Sequence, residues 1–318
     1  MSKIAFLFPG QGSQSAGMGT SLVEHFPQVR ALFEQAREVL GWDLLQVCRE
    51  GPEERLKQTD VAQPALYTIG FATFMALQSQ GMRPDAVAGH SIGEYAALAA
   101  ADVFSFADGL VFVKERARLM REAGRARPGS MMAILGLDAE KVKAICADAG
   151  SKGICAAVNF NSPEQIVIAG ESSALDEAGR LAAERGAKRV LPLNVSGAFH
   201  SPLMADAARG MRDYLEKAVF KKASIPLAMN ADGRLHQQPE EIREQLELQL
   251  DHPVLWVESM QALKSSGMDL FVECGAGRVL AGLLRRIDRQ LTVYATDTYE
   301  AIKEVGSALS ASGGGNES

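Results

Sequence analysis

The sequence predicts an α/β fold: a mostly parallel sheet with helices on both faces, interrupted by a small βαββαβ unit. Three observations lead there. Short apolar runs alternate with amphipathic stretches from Ile4 to a last helix at Tyr299. One such run, Ala86 to Ala88, passes straight through Gly89-His90-Ser91-Ile92-Gly93 into the alanine-rich stretch Tyr95 to Ala101. Residues 130–195 carry a separate six-element rhythm, after which the first pattern resumes.

Ile4 to Phe8, stopped by Pro9, is the expected first strand. It empties into Gly10-Gln11-Gly12-Ser13-Gln14. A dinucleotide fingerprint would need glycine at the place of Ser15, and a P-loop would need lysine at the place of Met18. Nucleotide binding is therefore disfavoured. The loop is either a set of main-chain N–H groups able to hold an oxyanion, or a plain tight turn.

A helix is expected over 27–40, with Pro27 at its start and Gly41 at its stop. Two short helical pieces follow, to about Lys57, and Pro64 then opens a long apolar helix that ends at Gly81. Gln63 sits at that helix mouth, where a glutamine is ordinarily solvated or capping. Beyond the Gly-x-Ser-x-Gly run, residues 105–123 form an amphipathic helix with the stripe Phe106, Leu110, Val113, Ala117 and Met120. Arg118 falls on its wet side. Arg116 and Arg121 flank the stripe, and spacing alone does not choose which of them reaches inward.

Gly124 to Gly129 is the expected linker. Then come strand Ser130–Leu137, helix Asp138–Ala149 with an aspartate cap, and strands Ile154–Asn159 and Gln165–Ala169 about the turn Asn161-Ser162-Pro163. Helix Ser172–Arg185 and strand Lys188–Val195 complete a ferredoxin-like βαββαβ order. The expected organisation is one main domain, 1–126 and 197–311, with a small domain at 127–196 and a disordered tail at 312–318. The main domain resumes at Ser196 to Ser201, and Pro202 opens a helix to about Val219. A strand at 225–229, helices at 239–250 and 254–266, and a strand at 270–272 follow. The Gly275-Ala276-Gly277 loop, helix 279–287, strand 291–295 and the helix from Tyr299 close the chain.

Composition narrows the function classes. At 318 residues the chain can bury a large core. A net charge of −6 and the lack of a long basic run argue against nucleic acid. The four cysteines, Cys48, Cys146, Cys155 and Cys274, show no metal spacing and read as reduced thiols of a cytoplasmic protein, with no metal expected. Neither a signal peptide nor a membrane span is expected.

Strand, Gly-x-Ser-x-Gly, helix is the context of a nucleophile elbow. Two glycines flank a turn too tight for side chains, and the serine is held at a helix N-terminus that favours developing negative charge. The bland alternative is a structural turn with an ordinary serine. A serine nucleophile needs a base, and histidine is the best matched. Of five histidines, His25 lies ahead of an N-terminal helix, His90 is adjacent to the serine, His236 is in a polar loop and His252 precedes Pro253. Elimination leaves His200, with a core or capping histidine as the alternative. No Asp or Glu follows a main-domain strand between Ser91 and His200, so the acceptor for the imidazole could be a main-chain carbonyl.

With these residues in hand, the chain resembles malonyl-CoA:acyl-carrier-protein transacylases. The resemblance runs to about residue 310 and rests on separated motifs: Phe8-Pro-Gly-Gln11-Gly-Ser-Gln14, Gln63-Pro-Ala65, Gly89-His-Ser91-Ile-Gly-Glu-Tyr95 and Arg116. Asn159-Phe-Asn161-Ser-Pro163, Val195-Ser-Gly-Ala-Phe199-His200 and Gly275-Ala-Gly277 extend it. It implies a hydrolase-like domain interrupted by a ferredoxin-like insert, the order already reached from periodicity. It implies Ser91 as nucleophile, His200 as base, the main-chain carbonyl of Gln249 as the group orienting His200, and the N–H groups of Gln11 and Ile92 as an oxyanion hole. It implies Arg116, rather than Arg121, as the holder of the malonyl carboxylate, with Gln63, Asn159 and Asn161 also at the substrate. Phe199 resembles the residue of malonyl-selecting members, a bulky ring with little room for an α-methyl branch.

Ile92 stands where the family often has leucine, and Gly275-Ala-Gly277-Arg278 where it often has proline and lysine. The implied partners are malonyl-CoA and an acidic acyl carrier protein, with Lys188, Arg189, Arg278, Arg285 and Arg286 as candidate carrier contacts. No cofactor, nucleic acid or membrane is implied, and a monomer is the working expectation. A polyketide carrier in place of a fatty acid one, a serine esterase or thioesterase, and a non-catalytic carrier-binding protein remain as alternatives.

Overall fold

The computed structural model describes residues 2–313, which fall into two compact units. The first comprises residues 2–114, 221–228 and 263–313; the second comprises Glu115–Phe220 and Met229–Ala262. In chain order the first stretch holds β1 (Lys3–Phe8), α1 (Thr20–His25), α2 (Pro27–Leu40), α3 (Leu44–Glu50) and α4 (Glu53–Leu56). Next come α5 (Thr59–Ser79), β2 (Ala86–Gly89), α6 (Gly93–Ala100) and α7 (Phe106–Ala126). The second unit continues with β3 (Ser130–Leu135), α8 (Ala139–Ala149), β4 (Cys155–Ser162), β5 (Gln165–Gly170), α9 (Ser172–Glu184), β6 (Arg189–Pro192) and α10 (Ala205–Leu215). Then follow β7 (Leu227–Ala228), β8 (Leu235–His236), α11 (Pro239–Leu248), α12 (Trp256–Ser265), β9 (Met268–Glu273), α13 (Val279–Ile287), β10 (Thr292–Ala295) and α14 (Tyr299–Gly313).

The strands of the first unit lie in the order β10-β9-β1-β2-β7, and every neighbouring pair is parallel. The chain is thus an α/β protein with a mostly parallel sheet, as the alternation of apolar runs predicts. A central parallel strand is covered on both faces, which is why β1 and β2 read as unbroken apolar runs rather than alternating ones. Phe6, Leu7, Phe8, Val87 and Phe271 are fully buried. Helix α5 is buried nearly all round and packs on α6. Its Gly70 lies close against β1, where a Cβ would sit 3.2 Å from the Phe8 ring.

In the second unit β3 to β6 form a four-stranded antiparallel sheet in the order β4-β5-β3-β6. The first and third strands of the βαββαβ order are therefore central. Helices α8 and α9 bury Val142, Ile145, Leu175 and Ala178 against Ile134, Ile166 and Ile168. Asp138 caps α8 by accepting from the Lys141 N–H at 2.9 Å, as its position predicts.

Several expected boundaries shift. Helix α5 begins at Thr59, so Pro64 lies inside it and Gln63 is buried in its second turn rather than standing at a mouth. Proline's missing N–H forgoes only the bond to the Asp60 carbonyl, near the helix start. Helix α7 continues through Ala126, which shortens the expected linker to 127–129. Strand β6 stops at Pro192, although the Leu193 N–H still donates to the Met131 carbonyl of β3 at 2.9 Å. A short 3-10 turn, Pro202–Met204, precedes α10, and α10 stops at Leu215, after which Glu216, Lys217 and Val219 are exposed and offer no packing face. Helix α14 runs to Gly313, past the expected start of a tail at 312; the remainder of that tail, 314–318, lies outside the described residues.

Candidate active site

The first unit builds the elbow. A Cβ on Gly89 would fall 2.0 Å from the Gly93 carbonyl carbon, and one on Gly93 would fall 2.0 Å from the Phe8 carbonyl oxygen. Main chain fills both places, so both flanks must be glycine. Between them Ser91 takes φ 52°, a left-handed conformation that L-residues rarely adopt. The Glu94 N–H donates to the Ser91 carbonyl at 3.1 Å, which starts α6. Ile92 precedes the first helical residue, so its N–H belongs to the group that a helix cannot satisfy internally.

The glycine loop lies against this turn. A Cβ on Gly10 would meet the His90 carbonyl oxygen at 2.7 Å. The Gly12 N–H donates to Gln14 Oε1 at 2.7 Å, and Ser13 Oγ donates to the Gly10 carbonyl at 2.8 Å. Gln11 is thereby held between two fixed glycines, beside the elbow. Gln63 is 1% exposed, which excludes the solvated role expected of a helix-mouth glutamine.

The second unit assembles around Gln249. His200 is buried in a left-handed conformation, φ 61°, and its Nδ1 lies 2.8 Å from the Gln249 carbonyl oxygen. A carbonyl only accepts, so Nδ1 carries the proton of the neutral ring and Nε2 is the accepting nitrogen. Ser201 fixes the following turn: its Oγ donates to the Ala198 carbonyl at 2.6 Å and accepts from the Leu203 N–H at 3.3 Å. On the other side, Gln249 Oε1 accepts from Arg116 Nε at 3.0 Å. Arg116 is 1% exposed. Arg118 instead pairs with Glu115 and Glu122 at the surface, and Arg121 is partly exposed. Of the arginines left open by periodicity, Arg116 is the buried one.

Close approach of main chain sets this up. A Cβ on Gly124 of α7 would sit 2.8 Å from the Ser196 carbonyl oxygen, so the loop leading to His200 lies directly on the helix that carries Arg116. Phe199 is buried, its ring 3.2 Å from where a Cβ on Gly197 would be. Asn159 and Asn161 are buried on β4, whose register against β5 shifts beside each of them. The Val254 N–H donates to the Val158 carbonyl at 2.8 Å, and the Phe160 N–H to the Val254 carbonyl at 3.0 Å, tying β4 to the segment that follows Gln249.

Three of the other histidines have local partners. His25 bonds the Ser21 carbonyl at 2.8 Å and stacks on Tyr299. His236 lies between Asp232 and Glu241, and His252 beside Asp251. Of the basic residues singled out in the sequence, Lys188 pairs with Glu164 at 2.8 Å and Arg189 is exposed on β6. In the first unit Arg278 and Arg285 line a cavity of about 250 Å³ with Tyr294 and Glu304, and Arg286 is exposed in the last turn of α13. Among the described residues no group of three or more His, Cys, Asp or Glu could hold a metal ion, and no helix is long and apolar enough to cross a membrane.

The side chain of Gln249 had no signal in the sequence. It is 133 positions from Arg116, and nothing local marks a glutamine at a helix end as a partner for a distant guanidinium.

The family described as an acyl transferase domain matches residues 5–301 of this chain. The malonyl CoA-acyl carrier protein transacylase of Bacillus subtilis is 42% identical over 95% of this chain and 96% of its own length. That of Escherichia coli is 40% identical over 95% and 98%. An acyl-carrier-protein S-malonyltransferase from Burkholderia pseudomallei superposes with a TM-score of 0.92 at 41% identity, covering 96% of this chain and 99% of that one. A malonyl-transacylase solved in complex with a type II PKS acyl-carrier protein superposes with a TM-score of 0.94 at 40% identity, covering 96% and 100%. The chain belongs to the acyl transferase family, among the malonyl-CoA–acyl carrier protein transacylases.

Proposed function

We propose that the chain transfers the malonyl group from malonyl-CoA to the phosphopantetheine thiol of an acyl carrier protein, supplying the extender unit for fatty acid synthesis. The observation that carries this reading is the double attachment of Gln249, by its carbonyl to His200 and by its side chain to Arg116. One residue thereby fixes a base and a carboxylate-binding cation.

The steps follow from the residues. Nε2 of His200 takes the Ser91 proton, and Ser91 Oγ attacks the thioester carbon. The N–H groups of Gln11 and Ile92 hold the tetrahedral oxyanion. CoA leaves as its thiol, taking the proton from His200. The carrier thiol then attacks malonyl-Ser91 by the same route in reverse. Arg116 binds the malonyl carboxylate through its terminal nitrogens, a two-bond match that a lysine cannot copy. Gln63, Asn159 and Asn161 help to position the acyl group. Phe199 disfavours an α-methyl branch, a discrimination of about 1–3 kcal/mol. A carbonyl behind His200, rather than a carboxylate, suits an acyl-enzyme whose acceptor is a thiol and not an activated water.

The reading extends to organisation. Residues 1–126 and 197–311 form the catalytic domain and 127–196 a ferredoxin-like small domain, supported by the confinement of the four-stranded antiparallel sheet to 130–192. The protein acts in the cytoplasm, as a monomer and without a cofactor, and Lys188, Arg189, Arg278, Arg285 and Arg286 contribute to carrier docking. A polyketide carrier is the second reading, favoured by likeness to a transacylase solved with a type II PKS carrier. The test is incubation with malonyl-CoA and purified fatty acid or polyketide carriers. One malonyl gained by a carrier is expected, and none with Ser91→Ala. Transfer by Ser91→Ala, or release of free malonate in place of transfer, would overturn the reading.

A further inference from the structure

A second cavity lies within the second unit, and neither His200 nor Arg116 lines it. Its volume is about 630 Å³, and Cys146, Cys155 and Phe160 are among its lining residues, with Glu140, Lys143 and Glu258 supplying charge. Cys146 projects from α8 and Cys155 opens β4, two elements packed face to face. The two thiols hydrogen bond to each other. Neither belongs to the acyl-transfer machinery.

The two sulfurs are not equivalent. Cys155 is partly exposed, whereas Cys146 is 5% exposed within the core between helices and sheet. The hydrogen bond from Cys146 lowers the Cys155 pKa, while the same bond and burial push Cys146 up. Lys143 lies in the same wall, its ammonium 5.4 Å from the Phe160 ring centre, though Glu140 at 2.9 Å offsets part of its charge. A partly exposed sulfur beside a buried one that can resolve it is the arrangement of an oxidisable dithiol. The other cysteines lack it. Burial pushes Cys48 up to about 12 and holds Cys274 well above the ordinary thiol value.

We propose that Cys146 and Cys155 form a reversible disulfide, with a small-molecule disulfide as the oxidant. The Cys155 thiolate attacks one sulfur of the oxidant, breaking its S–S bond and releasing one thiol. Cys146 gives up its proton and attacks the Cys155 sulfur of the mixed disulfide, releasing the second thiol. Two protein thiols lose two electrons, and the oxidant is reduced to two thiols. The new bond staples α8 to β4.

The test uses the folded full-length protein and oxidised glutathione, read by intact mass and peptide mapping. The expected product has lost two hydrogens, contains a Cys146–Cys155 cross-linked peptide, keeps Cys48 and Cys274 reduced, and reverts with dithiothreitol. Cys146→Ser should stop at one glutathione on Cys155. A wild-type protein that shows no mass change, stops at a stable glutathione adduct, or cross-links through Cys48 or Cys274 would overturn the proposal. So would Cys146→Ser that acquires no glutathione on Cys155.

Discussion

The main-chain oxygen of Gln249 lies 2.8 Å from Nδ1 of His200, and the side chain of the same residue lies 3.0 Å from Arg116 Nε. The two bonds separate under mutation. Gln249→Ala keeps the carbonyl and removes only the Arg116 partner. A hydrogen bond to a charged group contributes about 1.5–3 kcal/mol, so kcat/KM for malonyl-CoA should fall about 10- to 150-fold. Acetyl transfer, which needs no carboxylate partner, should change much less. Steady-state kinetics with both thioesters measures the split, and equal losses would place Gln249 in general support of the fold instead.

Arg116→Ala should lose malonyl preference while sparing acetyl transfer. Arg116→Lys should recover little, since an ammonium cannot reproduce the fork or its bond from Nε to Gln249. Competition between malonyl-CoA and acetyl-CoA reads this directly, and an unchanged preference would remove the carboxylate role from Arg116.

The elbow glycines give a stability prediction. In Gly89→Ala the added carbon lands 2.0 Å from main chain, with no flexible side chain to yield. The cost should exceed about 4 kcal/mol, the range of severe steric mechanisms. Urea unfolding should show a large loss of stability or no cooperative transition. A variant within about 0.5 kcal/mol of wild type, the range of neutral surface changes, would mean that the turn is looser than described.

Glu273 gives a pH prediction. Its carboxylate is fully buried at the end of β9 and accepts from the N–H groups of Leu280 and Ala281 at 3.0 and 2.8 Å. Burial raises its pKa from 4.5 to about 7, against the opposing pull of these bonds. Between those values the folded chain keeps a proton that the unfolded chain has lost. This group's contribution to stability is therefore full below about 4.5 and is lost as pH rises through about 7. The slope from one proton is at most about 1.4 kcal/mol per pH unit. Urea midpoints across this range should carry that falling component in wild type and lack it in Glu273→Gln. Parallel pH profiles for the two proteins would contradict the assignment.

What the sequence makes legible is local. Two glycines around Ser91 announce a turn because neighbouring main chain forbids side chains there, and the apolar runs of β1 and β2 announce a covered parallel sheet. The six-element rhythm of 130–195 survives with its last strand ending at Pro192 and its linker shortened by α7. Long-range choices are not legible. Helical spacing left Arg116 and Arg121 equivalent, and only packing buries the former. The sequence sets Gln63 at a helix mouth because Pro64 looks like a helix start, whereas α5 begins at Thr59. The Gln249–Arg116 bond spans 133 positions and depends on how α7 and the end of α11 meet.

On the proposed route Ser91 carries the malonyl group. The direct measurement is mass spectrometry of the protein quenched after brief exposure to a mixture of malonyl-, methylmalonyl- and acetyl-CoA. One malonyl adduct is expected on the peptide containing Ser91, dominant over the other acyl groups and missing in Ser91→Ala. An adduct on another residue, a dominant acetyl adduct, or an adduct that persists in Ser91→Ala would contradict it.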